Sequence, residues 1–499
     1  MARRRNPYPA LVVAALIPAV LLGGCWQFAQ SRVPASVGSA APATSADSSS
    51  STNPGDTTAP SSTVAPSTPL NTPVLSVRRA PAVLARDSSL APFVSAVQGF
   101  LPQIDSTSCV AVSVDGQFVA AQNGDLPLRP ASTVKVITAA VALEVLGADY
   151  TYTTEVRGEL NGGVVTGDLY LVGGGDPLLS SSWWNGPNAK YPPFNVTSIE
   201  ALADNIAAAG VTSITGSVVG DPSRYDDEWY APTWGDDIRF TEGGPISGLL
   251  VNDSREAIDR SSNDPAIGGA TVLTALLNER GISVGASSSK GTAPSGLATV
   301  ATVVSQPLPA ILAEMLTTSD NNTAEMVLKE IGLQAGGGPT REAGLAVVTS
   351  TLQAWGVPMA GVELYDGSGL SDENRLTCNA LLAVMQREGP DGPVGQGLAV
   401  AAQAGGTLSD AFEGSELAGV LRGKTGTLYN YDDGIGGKPG AKALAGFVPQ
   451  EGGGAVEFVI LLNGPQISEK VEYRPIWDAL GVVLATYPSG PTVADLGPR

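Results

Sequence analysis

The sequence predicts a mixed α/β (α+β) fold, an antiparallel sheet flanked by helices, with a second, β-rich domain inserted into the first. Three observations carry this expectation. The stretch Thr133 to Leu146 is apolar nearly all round, broken only by Lys135, Thr138 and Glu144. Such a helix belongs in the middle of a domain. Hairpin patterns stand far apart in the chain, Cys109 to Val114 with Gln117 to Ala121 and Ala441 to Val448 with Ala455 to Leu462. Between them, from about Tyr150 to Ala298, short β-type runs alternate with Gly and Asp turns.

Taken in order, residues 1–30 read as a signal peptide or membrane anchor. Arg3, Arg4 and Arg5 precede an uncharged stretch whose most apolar part is Leu11 to Leu22. Leu22-Gly23-Gly24-Cys25 resembles a lipoprotein cleavage box, with Cys25 as the lipidated residue. An uncleaved anchor and simple secretion are the alternatives. Residues 31–86 are rich in Ser, Thr, Ala and Pro, with little to bury, and form a disordered tether. The globular body, 87–150 and 299–487, opens with a hairpin turning at Asp115-Gly116. Pro130-Ala131-Ser132 then starts the apolar helix, and Gly147 ends it. The inserted domain spans 151–298, with helical pieces at Ile199 to Ala209 and Thr271 to Arg280. Helical patterns at Leu308 to Leu316 and Thr323 to Ile331 return to the first domain. The closing hairpin follows, then a helix over about Glu469 to Ala485 and a tail, 488–499.

Composition narrows the chemistry. The 499 residues include 28 basic and 48 acidic side chains, a formal charge of −20. Nucleic acid is therefore not an expected partner, because phosphate recognition needs basic patches. There is no histidine. This excludes a Ser-His-Asp triad and histidine zinc sites, so a hydrolase here must draw its base from Lys, Asp, Glu or Tyr. The three cysteines form no CxxC pattern. With Cys25 set aside, Cys109 and Cys378 can form a disulfide in an oxidising exterior or remain as two buried thiols.

Ser132-x-x-Lys135 puts a hydroxyl and an amine on one face of a helix, near the positive end of its dipole. The same spacing recurs at Ser287, but in a Gly/Ser-rich stretch without a helix behind it. A lysine inside an apolar helix is costly unless paired or neutral, and a neutral lysine is a competent base. The competing reading is a lysine snorkelling at a helix start. Ser319-Asp320-Asn321 falls between two helical patterns, where a loop can aim side chains into a cleft; a helix cap is its ordinary reading. Lys424-Thr425-Gly426 stands once in the chain, before the closing hairpin. Gly281-Ile282-Ser283-Val284-Gly285 has nucleophile-elbow spacing but lacks the histidine that motif needs. Gly419 to Thr425 falls one residue short of a phosphate loop.

The three segments in this order are a named motif set of penicillin-binding proteins and class A β-lactamases. Over nearly all of residues 87 to 487 the chain closely resembles the D-alanyl-D-alanine carboxypeptidases of the DacB type, the class C low-molecular-mass penicillin-binding proteins. Ala131 to Lys135, Ser319-Asp320-Asn321 with Ala324-Glu325, Asp366 to Ser371 and Leu421 to Thr427 carry the resemblance. Gly173-Gly174-Gly175-Asp176-Pro177 and Pro245-Ile246-Ser247 extend it into the insertion.

The resemblance implies a penicillin-binding, serine β-lactamase-like transpeptidase fold and a peptidoglycan stem peptide as substrate. It implies Ser132 as nucleophile, Lys135 as base and Ser319 as proton relay. Asn321, Lys424, Thr425, Gly426, Thr427 and Asp176 are the implied substrate-binding residues, and β-lactams the implied covalent inhibitors. No metal or cofactor is expected. Many members carry an arginine after Gly-Leu-Ser, associated with the diamino-acid side chain of the stem peptide; here Asp372 stands there, with Arg375 beyond it. A β-lactamase and a catalytically silent peptidoglycan-binding module are the rival readings.

Overall fold

The computed structural model describes residues 81–184, 191–239, 241–430, 439–451 and 453–489. The proposed leader, Cys25 and nearly all of the tether lie outside them, as do residues 490–499.

The principal sheet has six strands in the order Ala399–Val400, Arg422–Leu428, Gly440–Pro449, Ala455–Gly464, Cys109–Val114 and Gln117–Gln122. Every neighbouring pair is antiparallel. Both faces are covered, so the strands at the centre are mostly apolar and their alternation divides two cores. Cys109, Ala111, Ala443, Ala445, Phe447, Val459 and Leu461 turn to one core. Val110, Val112, Leu444, Phe458, Ile460 and Leu462 turn to the other.

The first core holds the apolar helix, Val134–Leu146, among helices Leu308–Thr318, Asn321–Gln334 and Cys378–Glu388. The second is closed by helices Pro81–Phe100 and Lys470–Leu484. Pro81–Phe100 begins before the expected start at 87. Ser88, Ser89 and Pro92 break its composition, yet Phe93, Val97 and Phe100 are buried at helical spacing. Helices Arg341–Ala354 and Cys378–Glu388 were also not marked by the sequence patterns. Cys109 and Cys378 form a disulfide, Cα to Cα 6.1 Å, that pins an inner strand to the start of the helix covering it.

The chain between the apolar helix and Leu308 builds a second sheet. Thr153–Asn161 pairs antiparallel with both Val164–Val172 and Thr299–Val304. Val218–Asp221 joins Val164–Val172 in parallel. Helices Ile199–Ala208 and Pro265–Glu279 pack on it through their own core. Pro265–Glu279 starts six residues earlier than expected because Asp264 caps it, accepting from the N–H groups of Ala266 and Ile267, and Pro265 fits the first turn. Thr299–Val304 belongs to this sheet and lies beyond the boundary expected at 298. The alternating pattern of Thr299 to Val304 could not show which of two sheets it would join.

Candidate active site

The apolar helix is preceded by a tight 3-10 turn, Ala131–Thr133. Thr133 Oγ1 donates to the Pro130 carbonyl at 2.7 Å, and Ala131 takes a positive φ of 47°. From Leu128 to Ala142, Ser132 alone is not buried. Two glycines admit this turn. A Cβ on Gly369 would stand 2.0 Å from the Ala131 carbonyl oxygen, and Gly369 has a φ of +86°. A Cβ on Gly426 would stand 2.8 Å from the Pro130 oxygen. The strand Arg422–Leu428 therefore lies directly against the turn carrying Ser132.

Lys135 follows one turn later and is fully buried. Its Nζ lies 3.0 Å from Ser132 Oγ, 2.6 Å from Asn321 Oδ1 and 2.6 Å from the Ser368 carbonyl oxygen. Burial pulls its pKa down to about 8, while Asp366, Asp320, Glu325 and Glu242 hold it from falling further. A neutral amine has two N–H groups for the two carbonyl oxygens and a lone pair for the Ser132 hydroxyl. The environment thus suits a base, and the snorkelling alternative fails because the amine never reaches solvent.

The middle segment breaks two helices. Ser319 adopts the left-handed conformation, φ 71°, at the end of Leu308–Thr318. Asp320 caps Asn321–Gln334 by accepting from Thr323 N. Capping and function coexist here: Asp320 turns to the helix, while Ser319 and Asn321 turn to the lysines. Lys424 Nζ donates to Ser319 Oγ and to the Thr425 carbonyl, both at 2.8 Å. Burial first, and Lys135 and Lys442 next, push the Lys424 pKa well down. Asn321 Nδ2 donates to the Glu242 carbonyl at 2.6 Å. Thr427 Oγ1 accepts from Lys442.

Eight of the expected site residues thus gather at the junction of the Ser132 turn, the Ser319–Asn321 break and the strand Arg422–Leu428. Asp176 does not join them. It is 3% exposed, and its Oδ1 accepts from Leu178 N at 2.9 Å.

Sequence reasoning missed the support behind Lys135. Asp366 accepts from the N–H groups of Gly369 and Ser371, from Asn374 Nδ2 and from Trp234 Nε1. Glu325 accepts from the N–H groups of Gly367 and Ser368, and is itself held by Arg341. Together they fix the turn whose Ser368 carbonyl meets Lys135. The signal was the Gly-Ser-Gly run beside Asp366, quoted above without a role.

Residues 95–259 and 252–487 match the D-Ala-D-Ala carboxypeptidase 3 (S13) family. The chain belongs to that family. This S13 member is 29% identical over 480 residues to a D-alanyl-D-alanine carboxypeptidase of Actinomadura sp. (strain R39), covering 77% of this chain and 82% of that one. It is 31% identical to carboxypeptidase DacB of Mycolicibacterium smegmatis, covering 73% and 76%. The crystal structure of penicillin binding protein 4 (dacB) from Haemophilus influenzae matches with a TM-score of 0.62 at 20% identity, over 77% of this chain and 98% of that one. The fold is accordingly that of penicillin-binding protein 4. The chain is a serine-type D-Ala-D-Ala carboxypeptidase, as the sequence reading expected.

Proposed function

We propose that Ser132 is the nucleophile that removes the terminal D-alanine of peptidoglycan stem peptides, with Lys135 as its base. The observation that carries this is the buried Lys135 amine, 3.0 Å from Ser132 Oγ and backed by two carbonyl oxygens. In this reading Lys135 takes the hydroxyl proton as Oγ attacks the penultimate D-Ala carbonyl. The C–N bond breaks, and the departing amine takes a proton relayed through Ser319. Water then cleaves the Ser132 ester. The backbone N–H groups of Ser132 and Thr427 hold the developing oxyanion, the contribution that is usually largest.

The sheet edge supports the binding mode. Ala399–Val400 pairs only with Gly423 and Arg422, so Lys424 to Leu428 have no strand on their outer side among the described residues. An extended peptide can add there as another strand, with its carboxylate at Lys424 and Thr425 and its amide at Asn321. Beyond Thr427 the cleft is walled by Asp237, Glu242 and Asp372. That acidic rim favours a neutral or cationic third residue over one ending in a carboxylate. β-Lactams acylate the same serine in this reading. The relatives' printed names, and a β-lactam complex of the Haemophilus protein, support both substrate class and inhibitor. An envelope location follows from that substrate, and attachment through Cys25 or an uncleaved anchor is part of the proposal.

Labelling with a fluorescent penicillin tests the nucleophile. Wild type takes up covalent label and Ser132→Ala takes up none; undiminished label on the variant ends the reading. Release of D-alanine from a D-Ala-D-Ala peptide, compared with cross-linked muropeptides, separates carboxypeptidase from endopeptidase activity.

A further inference from the structure

A second cavity, of about 420 Å³, opens behind the Ser319–Asn321 break, between it and the second sheet's loops. Trp183, Trp184 and Tyr191 wall one part of it, and Asp253, Glu314 and Asp320 another. Among the described residues no lysine or arginine lines it. Two of the carboxylates have cationic neighbours elsewhere. Arg255 stacks over Trp184 at 5.4 Å and acts on Asp253, and Lys135 acts on Asp320. Glu314 has neither. It is 2% exposed; its Oε1 accepts from Thr318 Oγ1 at 3.3 Å, and its Oε2 is buried with no hydrogen-bond partner.

A buried carboxyl oxygen left unpartnered is costly, and native structures normally satisfy such groups. Here it borders a space walled by indole and phenol rings. Among the described residues no three acidic or sulfur side chains converge closely enough to hold a metal ion. Aromatic faces beside carboxylates suit an organic cation with an apolar arm. We propose that this pocket binds a primary ammonium on an unbranched aliphatic arm. The arm lies against Trp183, Trp184 and Tyr191, and the charge meets Glu314, Asp253 and Asp320.

Binding has a proton signature. Burial, with Asp320 and Asp253 close by, pushes Glu314 up to about 9. At neutral pH the empty pocket holds it as the acid. An incoming ammonium ionises it, and that proton leaves to the buffer. The proposal does not depend on Ser132 chemistry, since binding is read without any β-lactam or peptide turnover.

Isothermal titration of the purified protein at pH 7.5 tests it, with cadaverine as probe and 1,5-pentanediol as its uncharged counterpart. Repeating the titration in buffers of different ionisation enthalpy counts the protons released. Cadaverine should bind and release a proton, and the diol should not bind. Glu314→Gln should weaken cadaverine at least about tenfold and lower the proton release. If Glu314→Gln fails to fold, Asp253→Asn should likewise weaken cadaverine. A third ligand, Nα-acetyl-lysine amide, separates the sources: tighter binding than cadaverine indicates a peptide side chain, weaker binding a free diamine. No binding of either amine, equal binding of the diol, or unchanged affinity in the carboxylate variant overturns the proposal.

Discussion

Lys135 is surrounded by four acidic groups that stabilise its charged form, yet loss of solvent outweighs them and leaves its pKa at about 8. In the proposed mechanism the catalytic form is the neutral one, so protonation below that value removes the base. Penicillin acylation, followed by stopped-flow, should therefore rise about tenfold per pH unit below 8 and level off above it. The proposed third-residue preference turns on Asp372 at the same scale. Its Oδ1 lies 3.4 Å from Arg129 and it shares the cleft wall with Asp237 and Glu242. Asp372→Arg should shift the ratio of kcat/KM values toward peptides whose third residue ends in a carboxylate, by about tenfold, the value of one charged hydrogen bond. A peptide pair differing only in that end group reads the shift.

Elements are held by a few specific ties. The Cys109–Cys378 disulfide joins residues 269 apart in the chain, at positions with no solvent exposure. Closing so long a loop restricts the unfolded chain strongly, and loss of such a bond typically costs about 2–5 kcal/mol. The Cys109→Ala/Cys378→Ala protein should show a lowered melting temperature by calorimetry. Its penicillin labelling at 20 °C should persist, because neither cysteine touches the Ser132 cluster. The helix Asn321–Gln334 shows why polar residues sit deep in this protein. It carries Asn321 at its start, Glu325 under the Ser368 turn and Glu330 one and a half turns on, all pointing to different partners. Its mixed composition hid it from a purely apolar pattern, so the sequence reading found only Thr323 to Ile331.

Across the whole molecule, the two sheets are joined through Glu330. This buried carboxylate accepts from Arg224 Nε at 2.9 Å and Nη2 at 2.6 Å, from Tyr150 at 2.5 Å, Tyr225 at 2.8 Å and Gln334 at 2.7 Å. Nearby, Lys329 pairs with Asp226 and donates to the Glu228 carbonyl, and Arg341 bridges Glu228 to Glu325. The helix that presents Asn321 is thus anchored to the segment between the second sheet and its loops. Glu330→Ala leaves Arg224 and two phenols without their acceptor. Breaking a buried pair in this way typically costs about 3–5 kcal/mol. Denaturant titration should show that loss, and slower penicillin acylation should accompany it as Asn321 shifts against Lys135.

The sequence by itself determined the local chemistry: a hydroxyl and an amine one turn apart on an apolar helix, no histidine to compete, and two more segments able to flank them. It also determined the two hairpins of the principal sheet and most of the longer helices, because their periodicity is written in consecutive residues. Tertiary structure decided what depends on distant residues meeting. It placed Thr299–Val304 in the second sheet, joined Cys109 to Cys378, and set Asp176 apart from the Ser132 cluster. It also set the Ser368 carbonyl, held by Asp366 and Glu325, against Lys135. A backbone oxygen has no signature in sequence, and burial, which lowers the Lys135 pKa, exists only after the chain has folded around it.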